Sequence, residues 1–343
     1  MKVLLTGGTG YIGSHTAVVL LQLGHQVVLY DNLSNSRKEV CEKIAQITER
    51  PLLFVKGDVR DTGLLINTLS SHGIEAVIHF AGLKAVGESM EQPAEYFANN
   101  VQGTISLLQA MNSQLIKTLV FSSSATVYGQ PQYLPLDESH PTSATNPYGR
   151  TKLHIEEMLR DVVNSDSRWR IACLRYFNPI GAHESGFIGE NPNGEPSNLM
   201  PYIAQVAAGQ RAELRIFGDD YPTPDGTGIR DYIHVVDLAE GHAAALNFLR
   251  QTTGQHIVNL GTGQGYSVLE VIAAFEKAAC RRIPFRVVVR RGGDVAECYA
   301  DPKKAAKLLK WTAKRTLDEM CASTWRYQQC SNSRLPSCQT TTR

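Results

Sequence analysis

Six short apolar runs recur along roughly the first 180 residues, and longer segments with helical periodicity separate them. The runs are KVLLTG, HQVVLYD, LLFVKGD, AVIHFAG, TLVFSSS and RIACLRYF; the segments between them include SHTAVVLLQL and NVQGTISLLQAM. Strands that are apolar at nearly every position are buried on both faces, as in parallel sheets covered by helices. The alternation therefore predicts an α/β fold built on a doubly wound parallel sheet.

The pattern changes after about residue 180, where the sequence GAHESGFIGENPNGEPSN is rich in Gly, Pro and Asn. Helices are predicted near 199–208, 235–250 and 267–279, with strands at LRIFG, HIVNLG and FRVVVRR. This part is expected to form a smaller mixed α/β lobe that binds substrate. We predict a nucleotide-binding domain over 1–177, a substrate-binding domain over 178–328 and a flexible tail over 329–343.

Composition excludes several classes of protein. The net charge of +1, with both signs interspersed, provides no basic face for nucleic acid. No apolar run reaches the roughly 18 residues of a membrane helix, and the N-terminus enters a Gly-rich turn where a secretory signal would stay apolar. The seven cysteines form no C-x-x-C pair, and the ten histidines show no ligand spacing. We expect a cytoplasmic protein without a metal that acts on a small molecule.

The motif TGGTGYIG follows the first strand and opens a helix, which indicates a dinucleotide-binding turn. Gly7, Gly10 and Gly13 remove side chains where the turn tightens, where a pyrophosphate approaches and where helix meets sheet. A Gly-rich turn alone could instead serve only to pack the helix against the sheet. Asp31 ends the second strand, where a carboxylate accepts a hydrogen bond from an adenosine ribose hydroxyl. The combination predicts a Rossmann-type NAD site, and the acid disfavours the 2′-phosphate of NADP.

Two further stretches follow strands at the edge where open α/β sheets bind ligands. GDVRD offers Asp58 as a ligand contact; a helix N-cap is the alternative, which Asp61 fits better. FAGLKAVGES offers Gly82, where backbone can approach a cofactor, and Lys84, which could bind a hydroxyl or phosphate. Lys84 could equally be a surface lysine.

The stretch NPYGRTK places Tyr148 and Lys152 four residues apart, so that they share one face of a helix. At about 5 Å, an ammonium would favour the phenolate by about two pKa units, which makes Tyr148 a usable acid or base. Ser124, in SSSATVYG, would hold the same substrate oxygen, and Ser122 lies at the same sheet edge next to the cofactor. An ordinary amphipathic pair is the alternative. The nucleotide-binding turn and the serine cluster favour catalysis.

From residue 1 to about 328, the sequence resembles the extended short-chain dehydrogenase/reductase family and, within it, the UDP-galactose 4-epimerases. The motifs that carry the resemblance are FAGLKAVGES, SSSATVYG, LRYFNPIGAH, NLMPYIAQVA, GTGIRDYIHVVDLA and KRTLDEM. The resemblance implies tightly held NAD and inversion at carbon 4 of a UDP-hexose through a 4-keto sugar. It also implies a homodimer, paired through helices near 93–112 and 147–164 as a four-helix bundle.

The resemblance also assigns residues to the two binding sites. To the NAD site, besides the glycines, it assigns Tyr11, Ile12, Asp31, Asn32, Leu33, Ser34, Asn35, Ser36, Asp58, Val59, Phe80, Ala81, Gly82, Leu83, Lys84, Asn99, Tyr148, Lys152 and Phe177. To the UDP-sugar site it assigns Lys84, Ser124, Tyr148, Asn178, Asn198, Leu199, Phe217, Arg230, Arg291, Asp294 and Cys298. The two arginines match the family's pyrophosphate contacts. A surface ion pair of Arg230 with Asp231 that caps the next helix is the alternative, and for Phe217 it is simple core packing.

Cys298 departs from the tyrosine that many bacterial members carry at this position. A smaller side chain predicts a sugar pocket that admits an N-acetyl group, so we expect activity on UDP-N-acetylglucosamine and UDP-N-acetylgalactosamine as well as on plain hexoses. A structural cysteine without consequence is the alternative.

Three other functions remain as alternatives at this stage. A nucleotide-sugar 4,6-dehydratase needs an Asp–Glu pair where this chain has Ala125 and Thr126. A non-catalytic NAD-sensing module would lose Tyr148 or Lys152. A net-reducing NADPH ketoreductase is opposed by Asp31.

Overall fold

The computed structural model describes residues 1–192, 194, 196 and 198–332 of the 343-residue chain. Its strands are β1 (Lys2–Thr6), β2 (Gln26–Asp31), β3 (Leu53–Lys56), β4 (Ala76–His79), β5 (Thr118–Ser124), β6 (Arg170–Tyr176), β7 (Asn178–Ile180), β8 (Leu214–Phe217), β9 (Ile229–His234), β10 (Gly254–Leu260), β11 (Gly265–Ser267), β12 (Phe285–Val288) and β13 (Glu297–Cys298). Its helices are α1 (Tyr11–Gln22), α2 (Glu39–Thr48), α3 (Thr62–Ser71), α4 (Val86–Glu91), α5 (Pro93–Tyr96), α6 (Gly103–Ser113), α7 (Pro147–Ser165), α8 (Leu199–Ala207), α9 (Val235–Phe248), α10 (Val268–Ala279), α11 (Lys303–Leu309) and α12 (Leu317–Asn332). A π-helix (Phe97–Gln102) precedes α6, and a 3₁₀ turn (Ala125–Val127) follows β5.

The main sheet has seven parallel strands in the order β10-β6-β5-β4-β1-β2-β3. Helices cover both faces: Val3 and Leu5 pack toward one core cluster, and Leu4 packs toward the other. Successive residues of a strand point to opposite faces, so a strand between two layers must be apolar throughout. The predicted fold class, a doubly wound α/β sheet of Rossmann type, is confirmed.

The second lobe is built around two small sheets. One has the order β11-β9-β13, with β7 also paired to β9, and the other joins β8 to β12. Its own core lies among α8, α10 and α12. The helix α10 begins with a capping box, in which Ser267 and Glu270 exchange side-chain and backbone hydrogen bonds.

The chain returns from the second lobe to the main sheet. The strand β10 pairs with β6 over seven residues, from Gly254 beside Arg170 to Leu260 beside Tyr176. The helix α9 packs its buried face against α1 and β6. Residues 235–248 and 254–260, which the sequence analysis assigned to the second domain, therefore belong to the main sheet and its cover. Periodicity identified both elements correctly but carries no information on which sheet a strand joins.

The last helix extends into the segment that the sequence predicted to be a flexible tail. The helix α12 extends to Asn332, four residues into the predicted tail 329–343, and Cys330 lies close to Gly186. Contact with the second lobe stabilises this final turn, which the polar sequence did not reveal. Residues 333–343, including Cys338, lie outside the described part of the chain. Within the described residues, no helix combines the length and apolarity needed to cross a bilayer.

Candidate active site

The turn between β1 and α1 depends on glycine at two positions. Gly7 is left-handed (φ 67°), and a Cβ there would come within 2.7 Å of the Ala81 backbone nitrogen. A Cβ on Gly13 would come within 2.4 Å of the Gly7 carbonyl oxygen. Gly10 begins α1 without a side-chain cap, and the first turn contains no acidic residue. The N–H groups at this helix start are therefore available to an anion, which fits a dinucleotide pyrophosphate.

Asp31 organises the loop that follows β2. Its carboxylate accepts hydrogen bonds from the backbone N–H groups of Thr9 (3.1 Å) and Leu33 (2.9 Å) and from the Ser36 hydroxyl (3.0 Å). A carboxylate can accept about four hydrogen bonds, so capacity remains for a ribose hydroxyl. The neighbouring predicted residues Ser34 and Asn35 lie in the same loop, where the Ser34 N–H donates to the Asn32 side chain.

Asp58 lies next to this loop but is already engaged. It accepts from the Arg60 guanidinium (2.9 Å) and from the Asn32 amide (3.1 Å), and the hydrogen bond from Arg60 lowers its pKa to about 2. Asp61 fills the alternative role and caps α3 by accepting from the Leu64 N–H at 2.9 Å. Two further predicted residues are packing residues at this edge: Val59 is buried under Gly103, and Ile12 packs on the main core.

The loop after β4 is held against the sheet edge by a residue that the sequence analysis missed. Asn100 accepts from the Leu83 N–H at 2.8 Å and donates to the Leu83 carbonyl at 3.0 Å and to Thr151 at 3.1 Å. The predicted Asn99 instead donates its amide to Asn100 at 2.9 Å. The π-helix turns Asn100 inward, and no sequence pattern signals a π-helix.

The same loop packs against the sheet edge and passes close to Lys152. Ala81 donates its N–H to the Thr6 carbonyl, and the Phe80 ring packs 4.8 Å from the ring of His242. A Cβ on Gly82 would come within 3.2 Å of the Asn100 side-chain oxygen and within 3.7 Å of the Lys152 ammonium nitrogen. Glycine at this position therefore lets the loop pack closely on Asn100, next to Lys152.

Tyr148, Lys152 and Ser124 meet at the carboxyl end of β5. The start of α7, which carries Tyr148, is fixed by two features. Asn146 caps the helix by accepting from the Gly149 N–H, and Pro147 occupies its first turn. The Lys152 ammonium donates to the Ser122 carbonyl at 2.7 Å and lies 5.8 Å from the centroid of the Tyr148 ring. The structure therefore brings the three predicted residues together.

The hydroxyl of Ser124 accepts from the backbone N–H (3.2 Å) and the hydroxyl (2.9 Å) of Thr126, so its own proton is directed elsewhere. It hydrogen-bonds Tyr148, and this contact lowers the pKa of the phenol, but burial has the larger effect and raises that pKa. Burial also lowers the pKa of Lys152 to about 8. In the protein alone, the pKa of Tyr148 is therefore raised, opposite to the predicted direction, because burial outweighs the hydrogen bond with Ser124.

The second lobe faces this edge through Glu190, which the sequence analysis did not identify. Its carboxylate accepts from Lys84 at 3.1 Å and from the Asn198 amide at 2.7 Å. Asn198 and the predicted Leu199 lie at the start of α8. The Tyr11 hydroxyl also donates across the lobes, to the Gly181 carbonyl at 2.6 Å. Lys84 and the nucleotide turn are thus tied to the second lobe.

Predicted diphosphate contacts line the second lobe. The Arg291 guanidinium lies 3.9 Å from the centroid of the Phe217 ring. Arg230, in β9, lies 3.7 Å from the Asp294 carboxylate. Both guanidinium groups could also donate hydrogen bonds to the oxygens of an anionic ligand.

The surface ion pair considered for Arg230 and Asp231 is wrong. Asp231 is fully buried and accepts from the N–H groups of Thr262 (2.9 Å), Gly263 (3.0 Å) and Ala300 (3.2 Å). The helix that follows is capped by His234, which accepts from the Val236 N–H. Asp231 therefore holds the two loops that flank Arg230, a role that required knowledge of the tertiary structure.

Cys298 lies in β13, paired with Arg230 of β9, and packs against the cluster that contains Ala125 and Phe177. Burial raises the pKa of its thiol to about 11, so the side chain is a neutral apolar group. Asn178 is exposed at the start of β7, directly after Phe177. Cys298, which replaces the expected tyrosine, therefore packs against residues that directly follow β5 and β6.

Comparison with known proteins then identifies the family. The model of the NAD dependent epimerase/dehydratase family matches residues 3–261. The chain belongs to this family. It is 56% identical to the UDP-glucose 4-epimerase of Bacillus subtilis (strain 168) over 96% of this chain and 97% of that one. Membership assigns NAD as the cofactor, and the uncapped start of α1 and the remaining hydrogen-bond capacity of Asp31 fit it.

Solved structures agree over nearly the whole chain. A UDP-glucose-4-epimerase from Stenotrophomonas maltophila with bound NAD and formylated UDP-arabinopyranose is 52% identical, with a TM-score of 0.95, over 97% of this chain and 99% of that one. A UDP-glucose 4-epimerase from Bifidobacterium longum in complex with NAD+ and UDP is also 52% identical, with a TM-score of 0.94 and the same coverage.

Proposed function

We propose that this protein is an NAD-dependent epimerase that interconverts UDP-glucose and UDP-galactose through a transient 4-keto sugar. The observation that carries the proposal is that Tyr148, Lys152 and Ser124 lie together, with Gly82 next to Lys152. The identity of more than half of all residues to UDP-glucose 4-epimerases supports the substrate class.

Tyr148, Ser124 and Lys152 have separate roles in the reaction. Tyr148 takes the proton of the 4-hydroxyl and later returns it, and Ser124 holds the same oxygen by a hydrogen bond. The ammonium of Lys152 offsets the charge of the phenolate. When bound, NAD reversibly accepts a hydride from carbon 4 and adds a positive charge near the phenol. Because a desolvated phenol resists ionisation, both positive charges are needed to bring Tyr148 into use near neutral pH.

Inversion requires that the sugar turns over while its nucleotide stays held. Arg230 and Arg291 provide guanidinium groups that suit the two phosphates, and Phe217 offers an aromatic face beside them. Asn178, at the start of β7, and Asn198 and Leu199, at the start of α8, are proposed as further contacts to the UDP-sugar. With the diphosphate fixed at one end, either face of the 4-keto sugar can be presented to Tyr148.

The 4,6-dehydratase alternative receives no support from this site. The positions after β5 that would carry its acids hold Ala125 and Thr126, and the Thr126 hydroxyl donates to Ser124. No carboxylic acid is therefore placed there to eliminate water.

The test is incubation of the purified protein with UDP-galactose and no added cofactor, followed by analysis of the nucleotide sugar. We expect UDP-glucose to accumulate to an equilibrium mixture without net oxidation. A 4-keto-6-deoxy product would instead indicate a dehydratase, and a product formed only with added NADPH would indicate a ketoreductase. Unchanged UDP-galactose in a sample that contains bound NAD would refute the proposal.

The sugar pocket is also proposed to accept N-acetylhexosamines. Cys298 contacts the Phe177 cluster, where a tyrosine ring would fill space that a thiol leaves free. Cys298→Tyr should lower turnover of UDP-N-acetylgalactosamine at least tenfold while UDP-galactose turnover changes little. Cys298→Ala is the control and should keep both. Equal turnover of the acetylated sugar by the tyrosine variant would reject the idea.

We further propose a cytoplasmic homodimer, in which the π-helix with α6 and the helix α7 of each subunit form a four-helix bundle. These elements already pack together within one chain, where the Phe97 and His154 rings lie 5.6 Å apart. Six cysteines of the described residues are free thiols, which supports a reducing compartment. Light scattering on a sizing column should give twice the 37.7 kDa chain mass, and a monomer would reject the dimer.

A further inference from the structure

A buried ion pair lies one helical turn beyond Lys152. Glu156 follows Lys152 by four residues on α7, so the two side chains share one face. The Glu156 carboxylate accepts from the Arg175 guanidinium through both oxygens, at 2.9 and 2.5 Å, and from the Ser123 hydroxyl at 2.5 Å. The side chains of Arg175 and Glu156 are 4% and 3% exposed. Three charged groups are therefore enclosed beside the candidate catalytic centre.

Stability alone is a weak explanation for this arrangement. Replacing a buried ion pair by apolar residues of similar volume is often neutral or stabilising, because desolvating the charges offsets their attraction. The position of the pair is more informative. Arg175 lies in β6 directly beside Ser123 of β5, and Gln255 at the start of β10 donates to the Glu156 carbonyl at 2.7 Å. The pair thus joins α7 to three neighbouring strands of the main sheet.

The surroundings of Lys152 show which charge acts on it. The groups that face its ammonium are the Ser122 carbonyl and Phe121 ring of β5, Tyr148 and Glu156 of α7, Gly82 of the loop after β4, and His79 of β4. Burial lowers the pKa of His79 to about 3, so its ring is neutral. Burial likewise lowers the pKa of Lys152, and the charge of Glu156 opposes this effect.

We propose that the Glu156–Arg175 pair is a positioning device for the reaction: Glu156 keeps Lys152 charged, and Arg175 and Ser123 fix the register of α7 against the sheet. This inference rests on the proposed function and adds two residues to it. The Glu156 carboxylate and the Arg175 guanidinium bond to each other, and the carboxylate also to Ser123, so both act through Lys152 and Tyr148. Arg175 balances the carboxylate, since an uncompensated negative charge on Glu156 would cancel part of the effect of the Lys152 ammonium on Tyr148.

The test is the pH profile of kcat between pH 6 and 10, measured on the enzyme with bound NAD and UDP-galactose as substrate. Glu156→Gln keeps the shape and the contact with Ser123 but removes the charge. Its alkaline limb should move to lower pH by about one to two units. Arg175→Met leaves the carboxylate uncompensated, and its alkaline limb should move to higher pH. A purely structural role would not move the two limbs in opposite directions.

Two further variants keep the test decisive if a single variant fails to fold. The double variant Glu156→Gln/Arg175→Met leaves no unpaired charge, and its limb should move to lower pH by less than that of Glu156→Gln. Glu157→Gln removes the same charge from the exposed next position and should leave the profile unchanged. An unmoved limb in both Glu156 variants, or an equal shift in Glu157→Gln, would overturn the proposal. A parent enzyme without epimerase activity would instead contradict the proposed function.

Discussion

Replacing Tyr148 by phenylalanine removes one oxygen atom from the site and separates chemistry from folding. The structural cost is small, because the side chain is half-buried and its hydroxyl has one identified partner, Ser124. A hydrogen bond of this kind contributes about 1 kcal/mol to the free energy of unfolding. A positioned acid–base group contributes about 10²- to 10⁴-fold to the rate, which corresponds to roughly 3 to 5 kcal/mol of the activation barrier.

The assay follows the conversion of UDP-galactose to UDP-glucose at saturating substrate, with bound NAD measured after denaturation of the same sample. Tyr148→Phe should retain NAD and unfold close to the parent temperature while kcat falls at least a hundredfold. Tyr176→Phe is the matched control, since the Tyr176 hydroxyl is buried at the same edge and hydrogen-bonds Ser122. It should keep kcat within about tenfold. If Tyr148→Phe with its NAD intact lost less rate than the control, the acid–base role of Tyr148 would be untenable.

Three other changes test the nucleotide turn and the diphosphate contacts. Gly13→Ala should destabilise the fold by roughly 1 to 3 kcal/mol, because its Cβ would lie 2.4 Å from the Gly7 oxygen; thermal unfolding measures this. The control Gly87→Ala meets no atom within 4 Å and should cost nothing; equal losses would contradict the clash. Asp31→Asn can no longer accept all of its hydrogen bonds and should weaken NAD binding at least tenfold by titration of the apoprotein; unchanged affinity would exclude a role for the charge. Arg230→Gln should raise the KM for UDP-galactose at least tenfold with a smaller change in kcat, whereas a pure kcat effect would exclude diphosphate binding.

Local features of the fold and site were predictable from the sequence, and features that depend on distant contacts were not. Continuous apolar runs predict the strands of the main sheet, and the spacing of Tyr148 and Lys152 predicts that they share one face of a helix. The pairing of β10 with β6 joins residues about 80 positions apart, for which periodicity offers no signal.

The same distinction explains the polar residues that were missed. Asn100 acts because a π-helix turns it toward Leu83, and Glu156 acts because Arg175 comes beside it from another strand. The direction of the Tyr148 pKa shift was mispredicted for a related reason. Spacing identifies the neighbouring lysine, but only the folded chain reveals how much water the ring loses.

The return of the chain to its first sheet means that the protein cannot be divided into two independent pieces at residue 177. A fragment that stopped there would leave the outer edge of β6 unpaired and one face of α1 uncovered, and bare sheet edges promote aggregation. During synthesis, the main sheet cannot be completed until residues 254–260 have been made. Split sites and fusion sites should therefore be placed in surface loops that leave the pairing of β10 with β6 intact.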